Sequence, residues 1–136
     1  FPIIFLVTII LFYPSLNYYF FQDDWFVLNW VQNSSFISLS QFRTDIIYWR
    51  PISMPLFFKT GQLLFGHNPF GLHLILLAVH LINSFLVFYL FRTLKFTMPT
   101  ALVISLLYST ASFHLVPLSW LSTASYVIGP LFFLLS

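Results

Sequence analysis

Apolar residues run in long blocks along this chain, and the few charged residues fall between the blocks. A bilayer core takes about 20 apolar residues in a helix. Residues 1–13 form the first block, which closes at Tyr13-Pro14-Ser15. It has the length of a signal-peptide core, but no small-residue cleavage site follows. It reads as a membrane span. Residues 60–91 hold no Asp, Glu, Lys or Arg. Within them Pro69 to Phe91 makes a full span, opened by Asn68 as cap and Pro69 in the first turn. Residues 96–136 are also free of those charges. They supply roughly 60 Å of helix at about 1.5 Å per residue, enough for two spans. Pro117 marks the break between them, within His114 to Ser119. The pattern predicts an all-α membrane protein with about four transmembrane helices, over 1–13, 69–91, 99–113 and 118–136. Thr97 or Met98 caps the third.

Composition narrows the class. Of the 136 residues 60% are hydrophobic and 6% charged, where a soluble domain carries about 25% charged. So few charges do not cover a soluble globule, and so apolar a chain is not disordered. A formal charge of +2 is too small to suggest a nucleic-acid partner, and the lack of cysteine removes disulfides, thiolate metal sites and cysteine nucleophiles. The chain begins at Phe1 inside an apolar run and stops inside another, so residues 1–136 read as the N-terminal part of a longer membrane domain.

Charge also orients the chain. The short loop Arg92-Thr93-Leu94-Lys95 has two cations and no anion, which places it in the cytoplasm by the positive-inside rule. The outer loop 14–68 is then extracytoplasmic or luminal. It holds all three acids, balanced by three cations. Asp23 to Val31 is predicted as a short amphipathic helix with Trp25, Leu28 and Val31 on one face. Asn33-Ser34-Ser35 is a break that also matches the N-glycosylation pattern. Leu39 to Trp49 is predicted as a second short helix, and Pro51 to Phe65 as a third, lying in the interface. Trp25, Trp30, Tyr48 and Trp49 suit the aromatic belt at headgroup depth.

Two constellations in that loop have chemistry to offer. In Asp23-Asp24-Trp25, adjacent carboxylates raise one another's proton affinity, which suits a general base or a metal ligand. The plainer reading is a helix N-terminus, where Asp stabilises the first turn. In Tyr48-Trp49-Arg50-Pro51, the guanidinium of Arg50 is a planar fork that suits a lipid phosphate, or else it snorkels to the headgroups. In the second span, His73 and His80 share a face that Asn83 or Ser84 extends. Interhelical hydrogen bonds are the reading there, since i, i+7 is too far for a shared metal. Ser105, Ser109 and Ser112, then Ser122, Ser125 and Gly129, are small-residue stripes for close helix packing. His114 lies at the outer end of the third span, on the side of Asp23 and Asp24.

The order of motifs carries a resemblance. An apolar span is followed by Asp23-Asp24-Trp25, then Tyr48-Trp49-Arg50-Pro51-Ile52-Ser53. Gly66-His67-Asn68-Pro69-Phe70-Gly71-Leu72-His73 then opens a helix with a second His, His80. This resembles the GT-C class of polytopic glycosyltransferases, and within it the bacterial and archaeal relatives of the tetratricopeptide-repeat O-mannosyltransferases. From Thr110 to Trp120 only His114 and Trp120 match the family's next motif, so the resemblance is to the class more than to the mannosyltransferases. It implies a polyprenyl- or dolichyl-phosphate sugar as donor and an acceptor protein or glycan. Transfer then takes place on the extracytoplasmic side of a multi-pass protein, in the plasma membrane of a prokaryote or the endoplasmic reticulum of a eukaryote. It casts Asp23 or Asp24 as the base, with slight preference for Asp23. Arg50 becomes the cation for the leaving phosphate, with His114 and Lys59 as further candidates. No cofactor is fixed by it; a divalent metal is the one candidate. The competing expectations are a transporter or flippase, and a non-catalytic membrane scaffold in which the Asp pair is dispensable.

Overall fold

A computed structural model describes residues 1–43 and 49–136. Tyr48 and the 44–48 portion of the predicted 39–49 helix lie outside the described residues. The described residues are all-helical, with no strand. Among them eight α-helices follow one another: α1 (Pro2–Phe12), α2 (Asp23–Gln32), α3 (Phe36–Ser40), α4 (Phe57–Phe65), α5 (Phe70–Thr93), α6 (Met98–Thr110), α7 (Leu115–Ser119) and α8 (Ser125–Leu135). A 3₁₀ turn over Tyr13–Asn17 extends α1, and a π-helical turn over Ile52–Leu56 leads into α4.

The 24-residue α5 organises the rest, packing against α1, α4, α6 and α8. It begins where the Asn68 side-chain oxygen accepts the Phe70 N–H at 3.0 Å. It ends in a reversal at Lys95 (φ 66), where the Phe96 N–H reaches the Phe91 carbonyl and Arg92 donates to the Phe96 carbonyl at 2.8 Å. Thr97 then caps α6, its hydroxyl accepting from the Thr100 N–H.

Among the described residues only α5 is by itself long and apolar enough to cross a membrane. The helix α6 and the segment Ser112–Ser119 qualify together, bent by 42° at their break. Pro2–Asn17 and Leu121–Leu135 are shorter apolar helices. The four-span expectation thus stands at one helix of sufficient length, or two with the bent pair.

The last break is also displaced. Pro117 does not interrupt a helix but sits at the third position of α7. First-turn amides have no intrahelical acceptor, so a proline costs little there. The chain breaks instead at Trp120, whose backbone is extended (φ −124, ψ 106), and α8 starts at Ser125 rather than Leu118. In the outer loop, α2 covers the predicted 23–31 helix, but its buried face is Asp24, Val27, Leu28 and Val31, while Trp25 is half exposed. Of the second predicted helix the described part that is helical is Leu39 and Ser40, at the end of α3, which Ser35 caps by accepting the Ser38 N–H.

Polar groups of α5 tie the helices together. His73 Nδ1 donates to the Leu118 carbonyl at 2.9 Å, and His80 Nε2 to the Ser109 carbonyl at 2.9 Å. Asn83 Nδ2 donates to the Val127 carbonyl at 2.8 Å, and Ser105 Oγ to the Ser84 carbonyl at 2.6 Å. A carbonyl only accepts, so each of these ring nitrogens carries the proton. The apolar core lies beside this stripe, around Val31, Leu39, Phe58, Leu76, Leu118 and Leu121. The outer faces stay apolar: Ile3, Ile10, Leu107 and Phe133 are all well exposed.

Two glycines of opposite character test the backbone account. Gly66 closes α4 at φ 64, ψ −128, and a Cβ there meets nothing within 4 Å. Gly129 lies inside α8, also with open space around it, and so does not serve the close packing expected of its stripe. Gly66→Ala is therefore expected to destabilise by about 1–3 kcal/mol from backbone strain alone. Gly129→Ala is expected to stabilise by about 0.5–1 kcal/mol. Thermal unfolding of the two variants in detergent micelles reads both signs.

Candidate functional site

The two adjacent aspartates have different surroundings. Asp24 is fully buried. Its Oδ1 accepts both the backbone N–H of Ser122 at 2.7 Å and the Ser122 hydroxyl at 2.6 Å. Its Oδ2 accepts the Phe21 N–H at 3.0 Å, while the Asp24 N–H donates back to the Phe21 carbonyl. This reciprocal clasp spans Gln22, a non-glycine residue held at φ 44, ψ −111. Such a conformation costs about 1–3 kcal/mol and persists only where neighbours impose it. Burial raises the Asp24 carboxyl above its ordinary value of 3.8, and the hydrogen bonds from Ser122 and Phe21 pull the other way.

Asp23 is exposed at the start of α2. It lines a cavity of about 340 Å³ together with Arg50, Trp120, Ser122, Thr123 and Tyr126. The helical periodicity explains the division of labour: neighbouring positions are rotated by about 100°, so one carboxylate faces the core while the other faces outward. Arg50 is half-buried, and its Nη1 donates to Ser125 Oγ at 2.8 Å. Pro51 follows it at the entry to the π-helical turn, which packs against α2, α4 and α8. Among the described residues the cavity therefore joins one carboxylate and one guanidinium, brought from separate parts of the outer loop onto the start of α8.

The other predicted site residues lie elsewhere. Lys59 Nζ donates to the carbonyls of Val31 at 2.9 Å and Gln32 at 3.3 Å, so it caps the C-terminus of α2, where a cation complements the helix dipole. His114 is buried, its ring 4.2 Å from that of His80 and 4.8 Å from that of Tyr108. Neither lines the Asp23–Arg50 cavity. Among the described residues no three His, Asp or Glu side chains gather as a metal-ligand set. Among the described residues one carboxylate, Asp23, lines the cavity, fewer oxygen ligands than a divalent cation takes.

Residue spacing had marked Ser122 and Ser125 as a packing stripe; they are instead the hydrogen-bond partners of Asp24 and Arg50. Trp120, Thr123 and Tyr126 also join the cavity. The sequence reading places all three inside the fourth span, 118–136, with no sign of a site. No protein-family model matches this chain, and neither does any curated protein or solved structure.

The clasp makes the two aspartates separable by stability. Asp24→Ala leaves buried donors on Ser122 and Phe21 unpaired, at about 1–3 kcal/mol each. Asp24→Asn keeps an oxygen for Ser122 but turns an NH₂ toward the Phe21 N–H, so its loss is smaller. Asp23→Asn leaves stability within about 0.5 kcal/mol, as for a surface substitution. Melting temperatures in the order Asp23→Asn, Asp24→Asn, Asp24→Ala check this.

Proposed function

We propose that this chain belongs to a multi-pass membrane glycosyltransferase of the GT-C type. It moves a sugar from a polyprenyl- or dolichyl-phosphate donor to an acceptor hydroxyl on the extracytoplasmic side. The observation that carries the reading is that Asp23 and Arg50 line the same cavity. The apolar outer faces and the long helix α5 support a membrane setting, and the two cations of the 92–95 turn support the orientation.

The chemistry needs both residues. The acceptor oxygen forms a bond to the anomeric carbon as that carbon's bond to the phosphate oxygen breaks. The acceptor proton passes to Asp23, which is the exposed carboxylate of the pair and so the one able to meet a substrate. The departing lipid phosphate keeps the bonding electrons, and its charge is met by the Arg50 fork. Ser125 orients that fork from the start of α8. Asp24 acts through the backbone, holding Asp23 against the 120–123 turn. Membrane lipids surround the spans, and the cavity edge lies at headgroup depth, where a lipid-linked sugar presents its phosphate.

The test uses the full-length protein in membranes with radiolabelled polyprenyl-phosphate sugars. Transfer by wild type is expected, with Asp23→Asn lowering it about 10²–10⁴-fold, the range for loss of a general base. Arg50→Met is expected to lower it as well, at equal expression. Equal transfer by wild type and Asp23→Asn would remove this carboxylate from the mechanism and favour a scaffold role.

A further inference from the structure

The outer loop carries apolar surface that the fold leaves uncovered. On α2, Trp25 is half exposed and Phe26 is 68% exposed, while Asp24, Val27, Leu28 and Val31 of the same helix are buried. On α4, Leu63 and Leu64 are exposed, Leu64 by 65%. The two helices pack together, and Lys59 of α4 holds the end of α2 through the Val31 and Gln32 carbonyls. The three cations of the loop are turned to protein groups rather than spread over these faces. Lys59 makes that cap, Arg43 lies over the Trp30 ring at 5.0 Å, and Arg50 donates to Ser125. Exposed apolar surface of this kind marks a partner.

The position of α4 along α5 identifies the partner. Gly61 of α4 has no room for a Cβ because the Leu72 side chain lies against it, and Phe65 lies in the same way against Gly71. So α4 runs beside the first turn of α5. On the orientation proposed above, Arg92 marks the cytoplasmic end of α5. Counting back from it, about 20 residues at about 1.5 Å each cover the roughly 30 Å hydrocarbon core and arrive at Leu72. The helix α4 therefore lies at the outer boundary of that core. The helix α2 is held at the same height. Its Asp24 is fixed to Ser122, and Leu118, just before that turn, accepts from His73, the neighbour of Leu72. Phe70 and Leu74 of α5 are exposed at this height too, so lipid reaches it. Asn29 and Gln32 of α2 are exposed beside the apolar groups, a mixture suited to the boundary between headgroups and acyl chains.

We propose that α2 and α4 are seated in the outer leaflet, with Trp25, Phe26, Leu63 and Leu64 covered by lipid at the headgroup–acyl boundary. This rests on the membrane reading above and not on sugar transfer. The sequence pattern puts only the 51–65 stretch in the interface; the packing adds α2. Asp23 opens that helix, so its cavity adjoins the leaflet, and a lipid-borne ligand reaches it without leaving the membrane.

Residues 1–136 have no cysteine, which suits single spin labels. Phe26→Cys, Leu64→Cys, Leu74→Cys and Lys95→Cys each carry one label in the full-length protein, cleared of any other cysteine, in lipid nanodiscs. Collision with oxygen reports lipid, and collision with a water-soluble nickel chelate reports water. Leu74 on α5 and Lys95 in the cytoplasmic turn are the references. All four positions are exposed, so the melting temperature is expected to stay at the wild-type value. Labels at 26 and 64 are expected to meet oxygen as the Leu74 label does and to lose the nickel collisions of the Lys95 label. Their expected depth is about 5–10 Å. Nickel collisions at the Lys95 level in either label place it in water and overturn the proposal. Low collision with both reagents places it under another protein segment and overturns it equally. A Leu74 label that meets nickel rather than oxygen sinks the membrane reading itself. A Leu74 label in lipid, with 26 or 64 outside it, sinks this proposal alone.

Discussion

A buried carboxylate holds the outer loop to the second half of the chain. Asp24 takes three hydrogen bonds with no exposure to water, and two of them come from Ser122, 98 residues further on. A buried anion is tolerable only when its donors are in place, so this contact demands that α2 and the 120–123 turn meet in one register. Several features follow from it. The strained Gln22 is bridged by the Asp24–Phe21 clasp, Asp23 is turned outward by one helical position, and Trp120 is set at the wall of the Asp23–Arg50 cavity.

The same pattern runs through the helices packed around α5. Polar side chains of α5 reach backbone carbonyls of the helices around it: Ser109 near the end of α6, Leu118 near the end of α7 and Val127 in the first turn of α8. The last carbonyls of a helix lack intrahelical donors, and His80 and His73 supply them at Ser109 and Leu118. The short helices after Ala111 are thus braced by α5, and that brace positions Ser122 and Ser125 for Asp24 and Arg50. Lys59 plays a like part for the end of α2.

Much of this was legible in the residues. The long apolar run before Arg92, the Thr97 cap and the short helix at Asp23 follow from local chemistry, and so does the shared face of His73 and His80. What local chemistry does not carry is pairing over distance. Nothing in Asp23-Asp24 says which side chain turns inward until the partner, Ser122, is known. Ser122 and Ser125 have the spacing of a packing stripe, and only the fold reveals them as donor and acceptor to charged groups. Pro117 misled because a proline in a first turn and a proline at a break look alike in sequence. Lys59 and His114 read as free cations for the same reason: a helix C-terminus and a buried ring stack are tertiary facts.

The Asp24–Ser122 contact is testable without any substrate. Asp24→Cys and Ser122→Cys together place two thiols where the carboxylate and the serine meet, in a chain that has no cysteine of its own. Oxidation in native membranes, followed by mass spectrometry of the digested protein, detects the joined peptides. An efficient cross-link is expected for this pair and none for Asp23→Cys with Lys59→Cys. A protein in which the 24–122 pair fails to join while remaining folded contradicts it, because the outer loop then does not rest on the 120–123 turn.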